Sequence, residues 1–213
     1  MTLSLGGLWR YPVKSMAGEP LPAAELTELG VPGDRLVWVR GPEGVRTARR
    51  QYKLLGLHGS LAPDGSVLVN GHAWDSPEAA VLVRAAAGED AWLELAPPGH
   101  QFDILPLLVA TDGAVQRFGR DIRRLRPNVL INGVDGMEET SWPGAELAIN
   151  DVVIELDSLR PRCPMTTVDP DTITRDPAVL KDIGKRFGGS LALNAAVARG
   201  GRVSVGDAVR LVR

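Results

Sequence analysis

The chain has 213 residues and 22.8 kDa, with 24 Lys and Arg against 26 Asp and Glu, which leaves a formal charge of −2 and a pI near 5.9. Composition at 44% hydrophobic and 23% charged is that of an ordinary globular protein. Without a basic block, the sequence argues against nucleic acid as a partner. No apolar stretch approaches the roughly 20 residues of a membrane span, and the N-terminus has no basic leader, so no membrane association is expected. A single cysteine, Cys163, excludes an intramolecular disulfide framework and any multi-cysteine metal cluster built by this chain, and fits a cytoplasmic setting.

Aromatics are scarce at 5%, while 24 Gly and 16 Pro make turns frequent, so short strands around a Leu, Val, Ala and Ile core are expected. Predicted strands run Leu3 to Tyr11, Arg35 to Arg40, Leu54 to Ala62, Val67 to Val69 and Trp92 to Leu95. In the second half they run Asn128 to Asn132, Glu146 to Ile149, Val152 to Leu156 and Val209 to Val212. Turn signals such as Pro32-Gly33-Asp34 and Asn70-Gly71 bound several of them. Ser76-Pro77-Glu78 and Gly88 bracket a helix over Pro77 to Ala87, although its apolar residues lack a clean period. Thr111 to Leu125 sets Val115, Phe118, Ile122 and Leu125 at helical spacing behind a Thr N-cap. Asp176-Pro177 opens a third helix through Phe187. The linker-like Ala96-Pro-Pro-Gly-His100 places a domain boundary near residue 98, dividing residues 1–98 from 99–213.

Cys163 lies between Arg160, Arg162 and two prolines, Pro161 and Pro164, which predict a fixed loop. An isolated cysteine is more often an inert buried hydrophobe, but fixed positive charge favours the thiolate form that attacks electrophiles or binds soft metals. No histidine stands at catalytic or ligand spacing, and no glycine pair forms a nucleotide-binding loop. Several cations sit beside turn formers, in Tyr11-Pro-Val-Lys-Ser15, Gly33-Asp-Arg35, Thr47-Ala-Arg-Arg50 and Leu125-Arg-Pro-Asn128. Singly each reads as a solvated surface charge. Together they form the donor set that grips phosphate and a polar heterocycle, so an anionic cofactor is expected.

These ordered motifs, with Glu139-Thr-Ser-Trp142, Arg162-Cys163, Thr166-Thr-Val-Asp-Pro-Asp-Thr172 and Gly206-Asp207, resemble the MOSC-domain family, named for the C-terminal domain of molybdenum cofactor sulfurases. Nearly the whole chain is similar to the branch that includes the mitochondrial amidoxime reducing component. The resemblance implies a mostly β fold: an N-terminal β-barrel-like domain packed on a MOSC β-barrel with a few peripheral helices. It further implies the molybdenum cofactor (molybdopterin), with Cys163 as metal ligand. Lys14, Ser15, Arg35, Arg49, Arg126 and Asn128 would hold the pterin and its phosphate, and Ser158, Arg160 and Arg162 would stand near the metal loop. Where the family's reductases tend to read Asp-Thr-Ser-Pro, this chain reads Asp103-Ile-Leu-Pro106. Asp103 is then a proton donor or supporting partner, or simply a turn cap. The implied activity is reduction of a small N-hydroxylated or N-oxide substrate, with electrons from a separate ferredoxin- or cytochrome-type protein. The alternative is a carrier of the cofactor or of sulfur on Cys163, without reductase activity. The site is expected where the two halves meet.

Overall fold

A computed structural model describes residues 2–213. The first half comprises β1 (Leu3–Arg10), β2 (Glu19–Leu21), β3 (Ala23–Leu26), β4 (Val37–Gly41), β5 (Gly44–Arg46), a 3-10 turn (Tyr52–Gly56), β6 (Gly59–Leu61), β7 (Val67–Val69), β8 (His72–Ala73), α1 (Pro77–Ala87) and β9 (Trp92–Leu95). The second half comprises β10 (Leu107–Thr111), α2 (Asp112–Phe118), β11 (Val129–Asn132), β12 (Glu146–Ile149), β13 (Val152–Pro161), α3 (Ala178–Phe187), β14 (Ser190–Arg199), β15 (Gly201–Ser204) and β16 (Ala208–Val212). Short 3-10 turns lie at Ile122–Arg124, Glu138–Ser141 and Pro164–Thr167.

The fold is mostly β, as expected. Strands β11, β10, β14, β13, β12, β16 and β1 hydrogen-bond in that order, and β1 pairs back onto β11 to close a seven-stranded barrel. Closure leaves these strands without free edges, apart from β2 added outside β1. Inside lie Leu5, Leu8, Val109, Val129, Ile131, Leu147, Ile149, Ile154 and Leu193, all essentially inaccessible to solvent. The first half contributes three further small sheets: β5-β4-β9, β6-β7-β8 and the β3–β15 pair. Its own core gathers Val13, Met16, Val37, Val39, Leu54 and Val69 under α1, and Met165, which follows Cys163 by two residues, packs against it. No helix among the described residues is long and apolar enough to cross a membrane.

Several expectations need correcting. The helix predicted over Thr111 to Leu125 stops at Phe118, because Gly119 takes the left-handed conformation (φ 69°) that ends helices, and a separate 3-10 turn follows. Thr111 does cap it, accepting from the Ala114 amide. The strand predicted from Leu54 is a 3-10 turn first and extended only from Gly59. The strand predicted to end at Leu156 continues to Pro161, where the missing proline N–H is tolerated at the strand's end. Strands β10 and β14, both in the barrel wall, were not among the predicted strands. Helix α1 forms as expected, with the Ser76 hydroxyl accepting from Ala79 and Gly88 closing it.

Candidate functional site

A cavity of about 480 Å³ opens between the barrel and the first half of the chain. Of the eleven residues predicted for the site, ten line it: Lys14, Ser15, Arg35, Arg49, Asp103, Arg126, Asn128, Arg160, Arg162 and Cys163. Lys14 and Ser15 come from the turn between β1 and β2, Arg35 and Arg49 from turns flanking β4 and β5, Arg126 and Asn128 from the approach to β11, and Arg160 to Cys163 from the end of β13 and beyond. Ser158 stands one remove back. Its Oγ accepts from Asn194 Nδ2 at 3.1 Å, and Asn194 Oδ1 in turn accepts from Arg160 at 3.0 Å.

Local backbone explains how these side chains converge. The β13–β14 register slips between Leu156 and Ser158 and again between Leu159 and Pro161. Bulges of this kind break the in–out alternation and re-aim side chains, here where Arg160 leaves the sheet. Cys163 is half-buried and begins the 3-10 turn Pro164–Thr167, its carbonyl taken by the Thr166 hydroxyl at 2.8 Å. The expected loop is therefore short and pinned. Three cavity residues other than glycine hold positive φ: Ser15 (73°), Arg35 (53°) and Arg126 (58°). Left-handed backbone at such residues costs about 1–3 kcal/mol each and collects where a site requires a particular aim.

Seven cations line the cavity, Lys14, Arg35, Arg49, Arg124, Arg126, Arg160 and Arg162, against one acid, Asp103. Lys14 Nζ donates to Asp103 Oδ1 at 2.6 Å, and Arg49 donates to Oδ2. Burial alone would raise the Asp103 pKa, but Lys14 and then Arg49 overcome it and hold the carboxyl at about 2. Burial pushes the Arg126 and Arg162 guanidinium groups down to about 10. Arg162 gives hydrogen bonds to the Leu125 and Leu191 carbonyls, yet its buried Nε has no partner among the described residues. Behind this wall, buried Glu139 accepts from Thr111 Oγ1 at 2.7 Å and from the Ala192 amide at 2.8 Å. Burial raises the Glu139 pKa against both hydrogen bonds.

Asn128 occupies the cavity wall, but its amide is committed within the protein. Nδ2 donates to Trp9 O and Asp34 Oδ2, and Oδ1 accepts from the Leu108 amide. It ties β11 to the end of β1 and to the turn carrying Arg35. Asp34, fully buried, accepts from the Tyr11 amide, Asn128 and Arg35 at once. Sequence reasoning took Gly33-Asp-Arg35 for its cation and missed that the acid is the hub. It also missed Asn194, a buried polar residue in an apolar strand, which is itself a signal. Ile104 and Leu105, standing where the resembled pattern has hydroxyls, line the cavity, with Ile104 about half exposed.

The donor set suits a molybdenum–pterin group. Among the described residues no three His, Cys, Asp or Glu side chains could hold a metal between them, so a metal beside the soft sulfur of Cys163 would need ligands supplied by a small molecule. The arginines around it offer donors with few internal acceptors. That is the arrangement a phosphate-bearing ligand requires.

The family model described as "MOSC domain" matches residues 72–210, and that described as "MOSC N-terminal beta barrel domain" matches residues 2–101. Mitochondrial amidoxime reducing component 2 from Macaca fascicularis is 28% identical over 78% of this chain, and human mitochondrial amidoxime-reducing component 1 is 27% identical over the same share. The chain spans 66% of the length of each. Among solved structures, the YuaD protein from Bacillus subtilis superposes with a TM-score of 0.55 at 14% identity, covering 99% of this chain and 96% of that one, which supports the fold alone. With both models matched across its length, the chain belongs to the MOSC-domain family.

Proposed function

We propose that this protein is a molybdenum-cofactor-dependent oxidoreductase that reduces small N-hydroxylated or N-oxide compounds, with Cys163 as the protein ligand to the metal. The observation that carries the reading is the convergence of the single cysteine with seven cations from both halves of the chain on one cavity. The bound cofactor would supply two-electron, oxygen-removing reduction, with electrons arriving from a separate ferredoxin- or cytochrome-type protein.

The chain's own residues divide the remaining work. Cys163 offers one soft sulfur at a fixed position on the pinned 3-10 turn. Arg126, Arg160 and Arg162, desolvated in the cavity wall, hold the pterin and its phosphate by charge-assisted hydrogen bonds, with Lys14, Ser15, Arg35 and Arg49 closing from the other side. Asp103 is ionised at neutral pH and accepts rather than donates, so it aims Lys14 and Arg49. Ile104 and Leu105 give the cavity an apolar lip that limits water at the reacting centre. Asn128 and Asp34 position the Arg35 turn rather than touching the ligand.

The test is molybdenum and pterin content of wild type and Cys163→Ala expressed in a cofactor-producing host, followed by benzamidoxime reduction with a viologen dye as donor. Stoichiometric metal lost on substitution, together with turnover, supports the reading. Metal without turnover points to a carrier, and absence of metal from the wild type overturns it.

A further inference from the structure

A second cleft of about 240 Å³ shares only Arg124, Arg126 and Met165 with the cavity just described. Its walls are otherwise largely apolar, with Trp9, Tyr11, Pro20, Leu55 and Val168 among them. Trp9, in β1, and Tyr11, just past its end, both face the cleft. Glycines fix both rings. A Cβ on Gly7 would meet the Trp9 ring at 2.4 Å, and one on Gly18 would meet Arg10 O at 2.2 Å and the Tyr11 ring at 2.5 Å. Both rings are thus packed by residues outside the Cys163 cavity.

Its charge is particular. Of the three arginines in the wall, Arg123 is held by Asp121 and Asp171, and Arg124 by Asp169 and the Thr166 carbonyl. Arg126 differs. Its guanidinium lies over the Tyr11 ring, 4.3 Å from the centroid, and its side chain donates no hydrogen bond to any described residue. A largely apolar cleft with one guanidinium that has no hydrogen-bond partner among the described residues suits an aromatic ligand with one planar anion.

We propose that this cleft is a second small-molecule site, for a one- or two-ring aromatic carboxylate whose rings lie against Trp9 and Tyr11 and whose carboxylate pairs with Arg126. Because Arg126 also lines the Cys163 cavity, an anion held there and the carboxylate held here compete for one guanidinium. The two sites therefore oppose each other: filling the cleft weakens anion binding in the cavity, and the reverse holds to the same factor.

The test uses the purified full chain and needs no molybdenum, so its failure is separable from failure of the proposed activity. Calorimetric titration with 2-naphthoate should show one saturable site, while the uncharged 2-naphthalenemethanol binds about tenfold more weakly. Arg126→Gln should weaken 2-naphthoate by about tenfold and bring it level with the alcohol. Ala17→Phe and Leu55→Trp, which enlarge two side chains lining the cleft, should each abolish binding in protein that still melts cooperatively. Inorganic pyrophosphate should raise the apparent Kd for 2-naphthoate. The proposal is overturned if there is no saturable binding, if acid and alcohol bind equally to the wild type, if binding survives both filling substitutions, or if pyrophosphate has no effect.

Discussion

The two walls of the Cys163 cavity reach similar chemistry by different means. On the barrel side, Arg160 leaves a ten-residue strand whose pairing with β14 runs out to Pro161, and Cys163 follows two residues later. On the other side, Lys14, Ser15, Arg35 and Arg49 stand on turns between short strands, two of them with left-handed backbone. The barrel wall is aimed by sheet register, with buried Glu139 joining β10 to β14 behind it. The turn wall is aimed by ion pairs, Lys14 and Arg49 on Asp103 and Arg35 on Asp34. A site made this way holds its cysteine just beyond a barrel strand and most of its opposing cations on turns.

The largest effect that sharpens this contrast is Cys163→Ala. It should remove essentially all bound molybdenum while shifting unfolding free energy by less than about 1 kcal/mol, since the side chain is half-buried; elemental analysis and denaturant melts measure the two. Next is Glu139→Ala on the barrel side, which strands the Thr111 hydroxyl and the Ala192 amide and should cost about 2–4 kcal/mol in urea unfolding. A neutral result there would break the view that the barrel wall depends on this acid. Gly119→Ala, forcing a Cβ onto φ 69°, should cost about 1 kcal/mol by thermal melting.

Smallest is Asp103→Asn on the turn side. The ionised carboxyl stabilises the fold fully above its unfolded value near 4, and that contribution fades as pH falls toward about 2. Asp103→Asn should therefore flatten the acid limb of the stability–pH curve by less than about 1 kcal/mol, because the pair is partly solvent-screened. An unchanged acid limb would show that Lys14 and Arg49 are aimed by something else.

Most of the candidate site could be read from the chain because cations beside Pro, Gly, Ser or Asn are local signals. What could not be read is which of those residues face inward on each other. Asn128 offers the same amide whether it meets a ligand or Trp9 and Asp34, and only the tertiary path decides. Turn chemistry and helix caps were likewise legible at Ser76, Gly88 and Thr111. Barrel closure was not. The segment of β14, Ser190-Leu-Ala-Leu-Asn-Ala-Ala-Val-Ala-Arg199, is rich in Ala and Leu, has little intrinsic strand preference and lacks alternation, because its middle is buried on both faces. The early stop of α2 turned on one glycine whose neighbours kept helical spacing.

The closing strand has a consequence for how the molecule is made. Strand β1 has one near partner, the three-residue β2, but its barrel neighbours are β11, more than a hundred residues on, and β16 at residues 208–212. Until those have been synthesised, one edge of β1 is wholly unpaired and the other is covered only from Leu8 to Arg10, by β2. The barrel can close only once its last strand has emerged, which makes folding late, dominated by distant contacts and correspondingly slow.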